Sequence, residues 1–426
     1  MLDFLDIHVG EVSSALTFGL LLGLGLLGGK LAKKVKLPSI TGYLLFGILL
    51  NPYMTGKIDP EGHYFDPHTI EQMVEFINII ALSFIAYIIG GSLYLKEMKG
   101  LGKSIGIVTI IQGAVPFIFV FLLIAFGGSI IAGDVLKTNT EYIALGLVAG
   151  TIALATAPAA TVAVLHEVKA RGPLTQTILG VVALDDALAV IAFILGSGIA
   201  LAMLKDGGSV PLLELMQTPI IHMALSVLLG VVFGFLLIYI SRFFRGQRGT
   251  MTIVVLGAVV VCGGIAEMLH FEYILTCMAF GFVVVNKMKS TRLIDMALSM
   301  EDMVFVAFFA VVGAHFDFSR IGEATLIGCL ILVARFAGKY LGSWLGTSVA
   351  KSPPHVKKWL GITLLPQAGV SIGLATSFAA KAGADGLADI GSLLLSSILV
   401  AVIITEIISP PLVRIAVIKS GEGRDV

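Results

Sequence analysis

Apolar runs of about twenty residues follow one another along the chain, each closed by a short polar stretch, and that spacing predicts membrane-spanning α-helices. Thirteen segments can be drawn, at 11–31, 37–52, 71–95, 102–126, 141–166, 173–204, 219–241, 250–268, 271–287, 300–316, 322–349, 357–381 and 387–418. The second and tenth are short, and Pro38 and Asn51–Pro52 bracket the second. The ten-residue alternation of a membrane barrel does not occur. No hydrophilic block is long enough for a soluble domain. Residues 1–426 are therefore expected to form a single all-α, polytopic membrane domain.

Composition agrees with that class. The chain is 57% hydrophobic and 13% charged, with a mean hydropathy of +1.00, whereas soluble proteins carry about 25% charged residues. A formal net charge of zero argues against a nucleic-acid partner. Cys262, Cys277 and Cys329 all lie in apolar runs and offer neither a disulfide framework nor a metal-ligand spacing. The acidic start MLDFLDIHVGEV lacks the basic region that opens a signal peptide.

Charge changes the picture through its sidedness. With the segments numbered in order, the connections after odd-numbered segments, together with the C-terminal end, hold 21 of the 28 Lys and Arg. The opposite side holds five, and Arg335 and Lys339 lie inside segment 11. Basic residues concentrate on the cytoplasmic side of a membrane. The N-terminus is expected outside and the C-terminus in the cytoplasm, the membrane being a prokaryotic inner (plasma) membrane.

Two segments carry breaks. Segment 5 contains TIALATAPAATVAVL, with Pro158 near its middle and Thr161 just beyond. Segment 12 contains GITLLPQAGVSIGLA, with Pro366, Gln367 and Gly369 in a comparable place. Proline removes a backbone donor and clashes with the preceding turn. In hydrocarbon such breaks survive only against protein or a wet cavity. Segments 5 and 12 are seven apart and so run in opposite directions. Interrupted helices at matching positions of oppositely oriented halves point to the binding site of a transporter. The first repeat is expected at about 11–204 and the second at about 250–418, with 219–241 linking them.

Directly after the first break comes GVVALDDALAVIAF, which places Asp185 and Asp186 side by side in an apolar run. A charged Asp near the bilayer centre costs about 2.5–3.5 kcal/mol on insertion scales. Adjacent helical residues point about 100° apart, so one acid can face a protein partner while its neighbour faces a water-filled cavity. Arg335 and Lys339 sit one turn apart on one face of segment 11, and Glu406 lies near the middle of segment 13. Three deep acids face two deep bases. The leftover carboxylate must bind a proton or a cation, which is what an ion carrier needs. Weaker motifs point elsewhere. GLGLLG at Gly23–Gly28 has no preceding strand, and close helix packing explains it better than nucleotide binding. His166–Glu167 lacks the second His of a zinc helix.

With these residues in view, the chain resembles the monovalent cation–proton antiporter superfamily, in its sodium/proton exchanger and Kef-type potassium-efflux branches. The likeness spans nearly the whole sequence, through LPSITGYLLFGILLNP, ATAPAATVAVLHE, ALDDALAV, EYILTCMAFGFVVVN, FFAVVGAHFDF and LLPQAGVSIGLA. It implies the sodium/proton antiporter fold, about thirteen helices in inverted-topology repeats with two discontinuous crossing helices. It also implies a homodimer in which segments 5, 6, 12 and 13 form a moving core. On this resemblance Asp186 carries the ion, Asp185 pairs with Arg335 or Lys339, and Thr156 contributes a hydroxyl ligand. Some relatives have an acid just before the proline of the first break, where this chain has Ala157. Potassium-efflux relatives often append a nucleotide-binding domain. This sequence continues about eight residues past segment 13, so no cytoplasmic regulatory domain is expected within it.

The expected activity is secondary antiport of Na⁺, K⁺ or Li⁺ against protons by alternating access, with no enzymatic chemistry and no cofactor. A hard cation prefers oxygen ligands, which Asp186, Asp185, Thr156, backbone carbonyls and water can supply. Three other readings stand beside it. An intramembrane aspartyl protease would also bury two acids, but on two different helices, and a G-x-G-D motif is missing. A cation channel would need a continuous pore. A symporter of a small organic anion would put a free cation at the crossing, a part Arg335 could play if unpaired from Asp185.

Overall fold

In a computed structural model the chain is almost entirely helical. The residues described are 14–34, 39–55, 67–98, 102–131, 135–157, 161–162, 164–165, 168–206, 212–244, 248–316, 318, 320–367 and 369–424. Pro158 and the His166–Glu167 pair lie outside them. The principal helices are α1 (Ser14–Lys34), α2 (Ser39–Leu49), α3 (Pro67–Ser92), α4 (Gly102–Leu122), α5 (Asn139–Ile152), α6 (Pro173–Asp206) and α7 (Leu212–Ile240). They continue with α8 (Arg248–Met268), α9 (Tyr273–Met288), α10 (Glu301–Ala314), α11 (Ile321–Val349), α12 (Pro354–Thr363), α13 (Gly369–Ala384) and α14 (Ala388–Lys419). Among the described residues seven helices are individually long and apolar enough to cross a membrane. Others are shorter apolar helices such as Ser39–Leu49 and Tyr273–Met288. Segments 5 and 12 are split by their breaks, α5 and α12 ending at Ile152 and Thr363.

The contacts divide the chain into two units, Met1–Ala81 with Glu301–Ser319, and Leu82–Met300 with Arg320–Val426. In the first, α1, α2 and α10 pack through small residues, as membrane helices do when dispersion forces replace the hydrophobic effect. A Cβ added at Gly42 would lie 2.3 Å from the Gly28 carbonyl oxygen, so the GLGLLG glycine at 28 is a point of backbone contact. Asn51, just past α2, donates from Nδ2 to the carbonyls of Ala314 (2.6 Å) and Phe316 (2.8 Å), where α10 ends. Terminal carbonyls have no partner within their own helix.

In the second unit α11 lies against α4 along Gly338, Gly342 and Gly346. Cβ atoms there would fall 2.4, 3.0 and 3.1 Å from the Cα atoms of Pro116, Gln112 and Val108. One glycine per turn of α11 thus lets α4 approach to backbone distance. Beside this contact, Leu174, Ile178 and Val181 of α6 pack with Val356 and Leu360 of α12 and Val413 and Val417 of α14 in one apolar core.

At the start of α6 a residue far along the chain serves as the cap. The Glu422 carboxylate, 7% exposed, accepts from the backbone N–H groups of Leu174 (2.7 Å) and Thr175 (2.8 Å) and from Thr175 Oγ1 (2.9 Å), and it shares a bond with His355 Nε2 (3.1 Å). Gly172, at φ +152°, makes room, since a Cβ there would sit 2.4 Å from Glu422 Cδ. The backbone N–H of Arg171 donates to the Glu422 carbonyl (3.0 Å) and that of Arg424 to the Val168 carbonyl (2.9 Å). An anion at a helix N-terminus also meets the positive end of the helix dipole. Burial works against ionisation of Glu422, but the bonds from Thr175, Leu174 and His355 outweigh it and hold the carboxyl below its usual range. A depressed acid stabilises the fold above its ordinary value and loses that contribution as pH falls through the folded value. Glu422→Ala is expected to cost about 1.5–3 kcal/mol, the range for hydrogen bonds to a charged group. Thermal melting in detergent should show the full gap between wild type and variant at pH 7, and a closing gap below about pH 4.5.

Candidate functional site

Two broken helices meet at the centre of the second unit. After α5 the chain runs extended through Ala155–Ala157, and after α12 it runs non-helically through Leu365–Gln367. The two stretches touch: the Ala157 N–H donates to the Pro366 carbonyl at 2.9 Å. Thr161 Oγ1 reaches the Thr363 carbonyl (3.4 Å), and Gln367 Nε2 reaches that of Ile152 (3.4 Å). Gly369 opens α13. Ala157, where some relatives hold an acid, thus joins the crossing through its backbone alone.

Helix ends leave carbonyls without intrahelical partners, and in an apolar medium each needs a donor. Arg335 of α11 supplies them. Its Nε donates to the Ala153 carbonyl (3.2 Å) and Nη1 to that of Leu365 (2.6 Å). Its Nη2 donates to those of Ala155 (2.7 Å) and Pro366 (3.4 Å). A planar guanidinium with five N–H donors suits four acceptors spread over two chain segments. The side chain is fully buried.

One turn on, Lys339 is also fully buried. Its Nζ donates to the Leu154 carbonyl (2.6 Å), Gln112 Oε1 (2.9 Å), Thr156 Oγ1 (2.9 Å) and Asp185 Oδ2 (2.9 Å). Asp185 is therefore the partner of Lys339, while Arg335 serves the backbone. Thr156 Oγ1 donates to Asp185 Oδ2 (2.6 Å), and Gln112 Nε2 donates to Asp185 Oδ1. With no exposed surface, Asp185 has both oxygens occupied.

Asp186, 4% exposed, is placed differently. The Thr156 backbone N–H is directed at its carboxylate, and no described residue gives a hydrogen bond to Oδ1. The rotation of about 100° between neighbours on α6 puts Asp185 inside the closed network and turns Asp186 away from it. Near the crossing, Ser371 Oγ and Gln367 Oε1 are also buried without a partner. Glu406 is buried in α14 and takes none of the bonds just described.

Gln112 was not among the residues that the sequence singles out. It lies on α4 with no motif around it, and it reaches the site because of the glycines of α11. The spacing Gly338, Gly342, Gly346 beside Arg335 and Lys339 was the signal that another helix passes at backbone distance.

A family model described as sodium/hydrogen exchanger, transmembrane, matches residues 13–419. The ammonium/H(+) antiporter subunit AmhT of Alkalihalophilus pseudofirmus is 23% identical over 348 residues, 81% of this chain and 79% of that protein. The K(+)/H(+) antiporter subunit KhtU of Bacillus subtilis is 20% identical over 381 residues, 86% of this chain and 85% of its own. The Na(+)/H(+) antiporter of Enterococcus hirae is 20% identical over 353 residues, covering 81% and 84%. Among solved structures, the sodium proton antiporter MjNhaP1 from Methanocaldococcus jannaschii superposes with a TM-score of 0.72 at 17% identity, covering 95% of this chain and 98% of the other. With the crossing of two broken helices and the paired aspartates beside it, these matches place the chain in the sodium/hydrogen exchanger family, among the antiporters of monovalent cations and protons.

Proposed function

We propose that this chain exchanges Na⁺, K⁺ or Li⁺ for protons by alternating access, and that Asp186 is the group for which cation and proton compete. One observation carries the reading: of the two adjacent acids, Asp185 is held by Lys339, Thr156 and Gln112, while Asp186 Oδ1 accepts from no described residue. A bare carboxylate at this depth costs several kcal/mol. Either a proton or a monovalent cation removes that cost. A site neutral in both loaded forms and charged when empty crosses the barrier only when loaded, and exchange follows from competition at one group. Asp186, Thr156 and backbone carbonyls at the crossing offer the oxygen ligands that a hard cation takes. Asp185 joins them when it turns from Lys339. The relatives are named for exchange of ammonium, potassium and sodium against protons, all monovalent cations.

The proposal extends to the surroundings. Repeats at about 11–204 and 250–418 would be related by inverted topology, with segments 5, 6, 12 and 13 moving together. Two copies would form a homodimer in an inner (plasma) membrane, the N-terminus outside and the C-terminus in the cytoplasm. The sidedness of Lys and Arg supports that orientation. Glu406, a third deep acid, is a further counter-charge on this reading. The organic-anion symporter loses its support, because the bonds of Arg335 go to four backbone carbonyls and Lys339 is paired with Asp185, the two deep bases among the described residues. A channel would need a continuous pore, and α5 and α12 end against each other.

Reconstituted protein under an imposed pH gradient tests the reading. Asp186→Asn is expected to lower cation-driven proton movement at least about 100-fold, which corresponds to about 2.7 kcal/mol of lost cation binding. Wild-type exchange in that variant overturns the assignment. Arg335→Met separates scaffold from ligand. It takes the Arg335 donor from the Ala153, Ala155 and Leu365 carbonyls, while Pro366 keeps the Ala157 N–H, at about 1–3 kcal/mol for each that stays unsatisfied. A large drop in melting temperature is expected, and unchanged melting with lost transport would show instead that Arg335 acts on the ion.

A further inference from the structure

Gln112 sits in the charged network with no charge of its own, and every polar atom it has is used. Nε2 donates to Asp185 Oδ1 and to the Thr109 carbonyl (3.1 Å), and Oε1 accepts from Lys339 Nζ (2.9 Å). The residue is fully buried. Its amide can point only one way, since the flipped group would turn Oε1 toward a carboxylate and a carbonyl. Backbone contact between α4 and α11 fixes its position, the missing Cβ of Gly342 lying against Gln112 Cα.

Donors and acceptors at Lys339 are unequal. An ammonium has three N–H groups, and four acceptors surround this one: Leu154 O, Gln112 Oε1, Thr156 Oγ1 and Asp185 Oδ2. One acceptor is surplus. If Asp185 leaves, three remain for three donors and the buried ammonium stays satisfied. Without Gln112 the count is three with Asp185 and two without it. An unsatisfied N–H on a buried ammonium carries a penalty above the neutral range of about 1–3 kcal/mol.

We infer that Gln112 is a positioning residue for exchange: it supplies the spare acceptor that lets Asp185 let go of Lys339 and turn to the cation at Asp186. The inference rests on the reading of Asp186 as the ion-binding group. Cation binding then requires the Asp185–Lys339 bond to open together with the Gln112 Nε2 bond to Asp185 Oδ1, and Gln112 Oε1 keeps the buried ammonium satisfied as they open. A protonated carboxyl in its place would keep both the acceptor for Lys339 and a donor for Asp185, and an apolar side chain would keep neither.

Initial rates of cation-driven proton movement in proteoliposomes, measured against cation concentration for wild type, Gln112→Met and Gln112→Glu, test this. Gln112→Met keeps the length and removes the acceptor. Its KM for the cation should rise about tenfold, equal to about 1.4 kcal/mol, with a smaller change in maximal rate. Gln112→Glu, held protonated beside the Asp185 carboxylate, keeps the acceptor for Lys339 and a donor for Asp185, and should keep KM within about threefold of wild type. An unchanged KM in Gln112→Met, or an equal rise in both variants, overturns the inference, because a packing role would lower protein yield or melting temperature without that split. If Gln112→Met fails to reach the membrane, Gln112→Glu decides alone, and a tenfold rise in its KM counts against the proposal. Asp186→Asn in the same vesicles keeps the two readings apart. Exchange in Asp186→Asn ends the Asp186 assignment. A dead Asp186→Asn with unchanged KM in Gln112→Met ends only the Gln112 inference.

Discussion

A helix cannot stop inside hydrocarbon without a donor for each carbonyl it abandons, and Arg335 answers that constraint at the crossing. Four acceptors from two chain segments converge on one guanidinium. An unpaired buried carbonyl costs about 1–3 kcal/mol, so the breaks in α5 and α12 persist only while α11 passes beside them. That requirement pins α11 across the site. It places Lys339, one turn on, within reach of Leu154 and Asp185. It also sets the line of glycines along which α4 can approach. The polar centre is thus assembled around the break, with α6 bringing the acids to it.

Charge is divided among these residues by geometry. The carbonyl ends of α5 and α12 carry partial negative charge, and Arg335 is turned toward both. Lys339 is turned toward Asp185, whose second oxygen receives the Gln112 amide. Both bases are then committed, and among the described residues Asp186 is approached by the Thr156 backbone N–H while its Oδ1 takes no hydrogen bond. Arginine suits the broad task because its fork spans several acceptors, while lysine suits the point contact with a single carboxylate oxygen. Exchanging the two types would leave either the carbonyls or the carboxylate poorly served.

Much of the framework is legible from the spacing of apolar runs. Segments drawn at 173–204, 322–349 and 387–418 correspond to Pro173–Asp206, Ile321–Val349 and Ala388–Lys419. The break in segment 12 announces itself through Pro366 and Gly369, since proline cannot continue a helix and glycine tolerates the departure. Other features have no local signature. Arg335 and Lys339 share a face one turn apart, so their division of labour depends on where the carbonyls of α5 and α12 end, a tertiary fact. Segment 7 is drawn from residue 219, whereas α7 begins at Leu212, because Glu214, Gln217 and Pro219 interrupt the apolar run over the first turns. Glu422 caps α6 across 248 residues of sequence, where no local motif can reach.

Placing two acids consecutively has a consequence that two acids on separate helices would lack. The backbone of α6 holds Asp185 and Asp186 at a fixed rotation, so any shift of the helix carries both together. On the proposed reading, an ion held at Asp186 stays beside Asp185 whenever the helix shifts. The network around Lys339 sets the cost of turning Asp185 toward that ion, through the number of acceptors it can spare. On the same reading, affinity for the cation depends on two separate balances. One is the desolvation of Asp186, common to proton and cation alike. The other is the release of Asp185, which a proton on Asp186 does not require and a coordinated cation does. A chain that adjusts the second balance changes its preference between cation and proton while leaving the helix crossing, and the fold it supports, as it is.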